Sequence, residues 1–147
     1  MKNKAVLYLS RATKDFSQED INSLYQSSKA SNKLFEISGF LCFKDNLFLQ
    51  YIEGNAFSID KVFERIKTDP RHKVLVILED ENIHHLRFNK WSMHLVNKNR
   101  IDDLEISFSL YEQLLMLDGH ESISNNVQNL VWQGVGVVSK HHTDLYS

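Results

Sequence analysis

Residues 37–54, ISGFLCFKDNLFLQYIEG, narrow the folds open to this chain more than any other stretch. Two apolar runs, 40–43 and 47–52, flank Lys44-Asp45-Asn46, which is the pattern of a β-hairpin. Strand parity puts Phe48, Gln50 and Ile52 on one face and Leu47, Leu49 and Tyr51 on the other. Both sets are mostly apolar, so both faces are expected to be covered. Gln50 is then the residue that needs a reason. A side-chain amide has up to four hydrogen-bonding sites, and leaving a buried one unmade costs about 1–3 kcal/mol. The expectation is a buried, functional Gln50 with a specific partner.

The rest of the chain supplies strands and helices to cover that hairpin. Residues 5–9, AVLYL, read as a strand buried on both faces, with Tyr8 sharing the parity of Val6 and Ser10. A buried tyrosine normally finds a partner for its hydroxyl. A helix is expected over about 17–30: Ser17 suits the N-cap, Glu19 and Asp20 suit the first turn, and Ile21, Leu24, Tyr25 and Ser28 form its inner stripe. Asn32, just beyond, reads as a C-terminal cap. Asn55 can cap a second helix running to about Asp69, with Val62, Phe63 and Ile66 inward and Pro70 as its stop. Arg65 and Asp69 are four apart on that helix and so share a face, as an exposed ion pair would.

Residues 73–78, KVLVIL, read as another strand buried on both faces, and 82–89 as a polar loop carrying surface His84 and His85. A last strand is expected over 91–96, with Trp91, Met93 and Leu95 on one parity. The order is strand, helix, strand, strand, helix, strand, strand. That is an α+β, ferredoxin-like βαββαββ sheet with both crossover helices on one face. The C-terminal third covers the other face or a second subunit, so a homo-oligomer is expected. One amphipathic helix carries Phe108, Tyr111, Leu114, Leu115 and Leu117, and a second carries Ile123, Val127, Leu130 and Val131. The tail after it, GVGVVSKHHTDLYS, has no clear period and suits a short strand or a docking segment.

Bulk properties exclude several classes. At 147 residues with 1 Pro and 5 Gly, the chain has room for one domain and little linker. A net charge of −2 offers no electrostatic case for nucleic acid or an anionic membrane. The single cysteine, Cys42, permits no internal disulfide and fits a reducing, cytoplasmic setting. No apolar run approaches the roughly 20 residues of a membrane span. Arg11 and Lys14 interrupt the N-terminal apolar patch, against a signal peptide. No His, Cys or carboxylate set has metal-ligand spacing.

Taken together, Tyr8, Asn32 followed by EISG at 36–39, FLQYIEG ending in Gln50 through Gly54, FERIKTDPRH at 63–72 and WSM at 91–93 resemble the BLUF domain, the blue-light sensor that uses flavin. The resemblance runs from about residue 4 to 96. It departs at Ser31, where many members have a first asparagine, and at Glu36, where they usually have glycine. It implies a sensor domain over 1–97 and a helical extension over 98–147. It implies a flavin, usually FAD although FMN or riboflavin shares the ring, held between the two helices. Leu24 and Ile66 would sandwich the ring, and Phe48 would line the pocket beside Gln50. Asn32, Arg65 and Asp69 would meet the ring's polar edge, and Lys29, Arg71 and His72 the ribityl and phosphate end.

The implied photochemistry takes an electron and a proton from Tyr8, relays the proton through Gln50, and leaves the Gln50 amide rotated or tautomerised. Its changed hydrogen bond to the flavin C4 carbonyl moves absorption slightly to the red. Trp91 and Met93, on one face of the last strand, would exchange places near Gln50 and pass the change to the C-terminal helices and a separate signalling protein. Such a chain is a sensor and not an enzyme. Ferredoxin-like folds also host acylphosphatase-type hydrolysis, for which Arg11, Arg65 and Asn32 could be recruited, but the Gly-rich phosphate loop is absent. A plain interaction module is the third reading. A yellow protein with a reversible red shift in blue light separates the first from both.

Overall fold

The computed structural model describes residues 2–88, 93–95, 101–120 and 122–146, with side chains over 2–88, 109–120 and 122–140. The chain runs β1 (Asn3–Ala12), α1 (Gln18–Leu34), β2 (Ser38–Lys44), β3 (Leu47–Asn55), α2 (Ala56–Thr68), β4 (His72–Ile83), β5 (Met93–Leu95), α3 (Ile101–Leu117) and α4 (Asn125–Tyr146). The sheet order is β4-β1-β3-β2-β5, with β5 parallel to β2 and the other neighbours antiparallel. The ferredoxin-like βαββαββ reading holds, with α1 and α2 on one face and the C-terminal helices on the other.

The hairpin closes as its turn residues dictate. Asp45 and Asn46 both take positive φ, 53° and 63°, as a two-residue turn between right-twisted strands requires. Register then makes Tyr8 the direct cross-strand partner of Gln50, and Leu41 the partner of Gln50 on the other side. Phe48 and Ile52 join Val6, Tyr8, Ile21, Ile59, Val62 and Phe63 in the core under α1 and α2. Leu47, Leu49 and Tyr51 join Leu7, Leu9 and Phe40 in a second core closed by Leu110, Tyr111, Leu114, Val131, Val135 and Val138. One strand thus serves two cores, which is why neither of its parities is polar.

Ser17 caps α1 in a reciprocal box with Asp20: each backbone N–H donates to the other's side chain at 3.0 Å. The helix does not stop before Asn32, as its polar sequence suggested. Asn32 lies in the last turn, and the Ile37 N–H donates to its carbonyl at 2.7 Å while the Glu36 N–H donates to Lys33 at 3.3 Å. These two bonds close a C-terminal cap in which Glu36 occupies the left-handed position, φ 56°. The strain of a side chain there explains why the resembled family favours glycine. Glu36→Gly should raise stability by about 0.5–1 kcal/mol, because relief of left-handed strain outweighs the entropy glycine adds to the unfolded chain. A urea midpoint equal to or below wild type would show that Glu36 is not strained.

Three other expectations change. β4 is an edge strand running on to Ile83, not a strand buried on both faces: Ile77 is 40% exposed, beyond the cover of α2. The Gly-Val tail is not a strand but part of α4, which docks on the core through Val135 and Val138, and a Cβ on Gly134 would sit 2.7 Å from Leu110. Glycine there lets α3 and α4 approach closely. Leu115 and Leu130, assigned inward, are 40% and 57% exposed, while Leu110 and Val135 take the inner positions. The side chains of Phe108, His141 and His142 and all of Trp91 lie outside the described residues, and Met93 is described only as β5 backbone.

Candidate functional site

Between α1 and α2 the sheet is left partly uncovered, in a cleft of about 320 Å³. Tyr8, Leu41, Phe48 and Gln50, from three adjacent strands, form its floor; Leu24, Ser28 and Asn32 of α1 and Val62, Arg65 and Ile66 of α2 form its walls. Asp69, Arg71 and His72, where the chain leaves α2 and enters β4, line it as well.

Tyr8 donates its hydroxyl hydrogen to Gln50 Oε1, and both side chains are only 4% exposed. Burial, with the Asp69 carboxylate adding to it, pushes the Tyr8 phenol far above its usual range. Tyr8 is therefore neutral and a donor at any working pH. Phe63 and His72 pack against its ring at 5.8 and 5.9 Å. His72 is fixed at both ring nitrogens, 2.6 Å from the Ile66 carbonyl and 2.7 Å from Ser10 Oγ. A carbonyl can only accept, so Nε2 carries the hydrogen.

Asn32 is 2% exposed, and its Nδ2 has no hydrogen-bond partner among the described residues. An amide group buried in that way is destabilising by about 1–3 kcal/mol unless something completes it. It lines the same cleft as Tyr8 and Gln50.

Arg65 and Asp69 do not pair. Asp69 is followed by Pro70, which forces extended backbone on it (φ −71°, ψ 119°) and turns it out of the helix. Its carboxylate is gripped by Arg71 Nη2 at 2.6 Å and Nε at 3.0 Å, which holds the carboxyl below its usual range. The Arg65 guanidinium lies 5.6 Å from the Phe35 ring centroid.

Of the residues singled out from sequence, Tyr8, Leu24, Asn32, Phe48, Gln50, Arg65, Ile66, Asp69, Arg71 and His72 converge on this cleft. Lys29 does not: it is exposed on α1 with its ammonium 5.8 Å from the Tyr25 ring. Arg11 also lies outside the lining, so the trio invoked for hydrolysis does not assemble. Sequence reading passed over Phe16, Ser27 and Leu41, which line the cleft too. Leu41 was findable, because an alternating strand paired in register puts it beside Gln50.

A second polar cluster sits on the opposite face of the sheet, and nothing in the sequence announced it. Glu53 is fully buried. It accepts from Ser38 Oγ at 3.0 Å, Tyr51 Oη at 2.8 Å, and the backbone N–H groups of Arg87 and Phe88 at 2.7 and 3.0 Å. Burial pushes its carboxyl above the usual range while these four donors pull it back.

Comparison with known proteins gives the family and the fold. The family BLUF, sensors of blue light using FAD, matches residues 4–94. The chain belongs to the BLUF family. Photoactivated adenylate cyclase subunit alpha of Euglena gracilis is 30% identical over 95 residues, covering 61% of this chain and 9% of that protein. The chain thus spans about a tenth of that relative's length. Among solved structures, the dark state of the BLUF protein BlrB superposes with a TM-score of 0.64 at 26% identity, over 90% of this chain and 97% of that one. A bacterial light-regulated adenylyl cyclase gives 0.62 at 26% identity, over 90% of this chain and 40% of that one. The photo-activated state of BlsA, at 22% identity and a TM-score of 0.65, shares the fold over 92% of this chain and 95% of its own.

Proposed function

We propose that this chain is a blue-light photoreceptor that holds an oxidised flavin, FAD by family habit, between α1 and α2 and signals through the Tyr8–Gln50 hydrogen bond. The observation that carries the reading is the unpartnered, buried Asn32 amide in the same cleft as that bonded pair. A ring with a carbonyl edge completes Asn32. The cleft, at about 320 Å³, is at the small end of ligand pockets and suits a flat ring system with its sugar-phosphate tail in solvent. Leu24 and Ile66 stand on opposite walls to hold its two faces. Arg65 and Arg71 offer cationic groups to the ring edge and tail, with Asp69 holding Arg71 in place, and His72, tied at both ring nitrogens, contributes its ring to the wall of the cleft.

When bound, the flavin supplies blue-light absorption and an oxidising excited state. Tyr8 would then act as the electron and proton donor, its O–H already aimed at Gln50, and would recover both on recombination, so that no net redox change remains. Gln50 relays the proton, and its amide, which can present an acceptor or a donor by turning over, ends in a second arrangement. One rearranged hydrogen bond is worth on the order of 1 kcal/mol, which moves a two-state element only several-fold. The output must therefore pass to an element already near balance. We assign that role to β5, with Met93 and the adjoining Trp91, and to the extension over 98–147. The assigned target is a separate partner protein, in the cytoplasm, with the chain itself a homo-oligomer and not an enzyme. Among the described residues no helix is long and apolar enough to cross a membrane.

Asn32→Ala should weaken flavin binding about 10-fold, the loss of one buried hydrogen bond of ~1.4 kcal/mol. Fluorescence titration with FAD measures it. An unchanged affinity would leave Asn32 a structural residue and the cleft without its polar anchor.

A further inference from the structure

Gln50 faces the cleft, but its neighbours Tyr51 and Glu53 face the other way, into the core shared with the C-terminal helices. There they meet Arg87. Its backbone N–H donates to Glu53, and its Nη1 donates to Tyr51 Oη at 2.8 Å. The guanidinium carbon lies 5.2 Å from the ring of Trp132 on α4 and 5.7 Å from that of Tyr51, while the two rings are 6.3 Å apart. One side chain thus touches both the strand that carries Gln50 and the helix that covers the sheet. The main chain of the same residue is anchored to β3 by a buried carboxylate.

The far end of this contact is a helix with a run of weak helix formers. Between Trp132 and Ser139, α4 reads Gln-Gly-Val-Gly-Val-Val, two glycines and three β-branched residues that are among the weaker helix formers. What holds it helical is packing: Val131, Val135 and Val138 are buried against the sheet. The contact with α3 is imperfect, since Gln113 Oε1 is buried there without a partner among the described residues, 4.0 Å from the Cβ position of Gly134.

We infer that Arg87 is a positioning residue that couples β3 to α4, so that displacement of β3 at Gln50 reaches the C-terminal helix through Tyr51, Glu53, Arg87 and Trp132. This rests on the light-switch reading above, and it adds a route through the sheet to the far face that does not run through β5. The charge and planarity of the guanidinium matter at one end and the aromatic face at the other.

The test is amide hydrogen exchange of residues 131–138 in the flavin-loaded full chain, in darkness and under blue light, with the flavin spectrum recorded on the same samples. Wild type should show a red shift and an exchange rate in α4 changed by about fivefold or more, the smallest coupling ordinarily called allosteric. Arg87→Gln and Trp132→Leu should keep the red shift at wild-type size and bring the light-to-dark exchange ratio close to one. Trp132→Phe, which retains an aromatic face, should keep the ratio. A wild-type ratio surviving in either Arg87→Gln or Trp132→Leu overturns the coupling, and so does its loss in Trp132→Phe, which would assign the effect to indole packing alone. Should Arg87→Gln fail to fold, the two Trp132 variants decide the matter. A red shift in wild type with no change in α4 overturns this inference alone, whereas no red shift at all overturns the photoreceptor reading beneath it.

Discussion

Flavin-loaded Gln50→Leu is expected to keep its flavin and to lose the light-driven red shift completely. Leucine is close in volume, suits a buried strand and leaves Leu24, Asn32 and Ile66 to hold the ring. What disappears is the amide bonded to Tyr8, which can offer acceptor or donor at the same point. The Tyr8 hydroxyl is left buried without its acceptor, so the variant should also be less stable by about 1–3 kcal/mol. Tyr8→Phe should match it spectroscopically, because the donor is removed instead of the relay. A reversible red shift of wild-type size in Gln50→Leu would exclude Gln50 as the switch and leave its burial unexplained.

Gly39→Ala is expected to be the most damaging small substitution in the sheet. A Cβ at Gly39 would lie 1.8 Å from the Tyr51 carbonyl oxygen, a backbone atom that no rotamer change can move aside. Gly39 is also the cross-strand partner of Ile52 on one side and of Met93 on the other. Either β2 separates from β3 or the hairpin register slips, and both moves disturb Gln50, two residues from Ile52. Stability should fall by at least about 3 kcal/mol, the upper end of ordinary overpacking, with flavin retention falling alongside. Urea unfolding of the purified chain gives the number, and a midpoint within error of wild type would mean that the strands are not packed as described.

Local rules carried the sequence reading a long way. Parity alone separated Phe48, Gln50 and Ile52 from Leu47, Leu49 and Tyr51, and the structure puts the first set on the side of α1 and α2. Asn55 does cap α2, accepting from the Phe57 N–H at 2.9 Å. What stayed hidden depended on distant partners. Glu53 reads as an ordinary polar residue at a strand end. Its burial is set by Arg87 and Phe88, more than thirty positions later by sequence numbering. The spacing of Arg65 and Asp69 implied a pair, but Pro70 overrides helical geometry at Asp69 and hands it to Arg71. The Gly-Val run of α4 is a poor helix by propensity, and it is helical because Val131, Val135 and Val138 pack into the core on that face of the sheet. The polar end of α1 concealed that Asn32 is inside the helix, since the cap that extends it relies on a non-glycine residue at positive φ.

Absorption spectroscopy of the purified, flavin-loaded chain before, during and after blue illumination tests the central claim most directly. The Tyr8–Gln50 switch predicts that the flavin bands move to longer wavelength in light without bleaching and return in darkness. A spectrum that does not shift, or that bleaches without recovery, would contradict it.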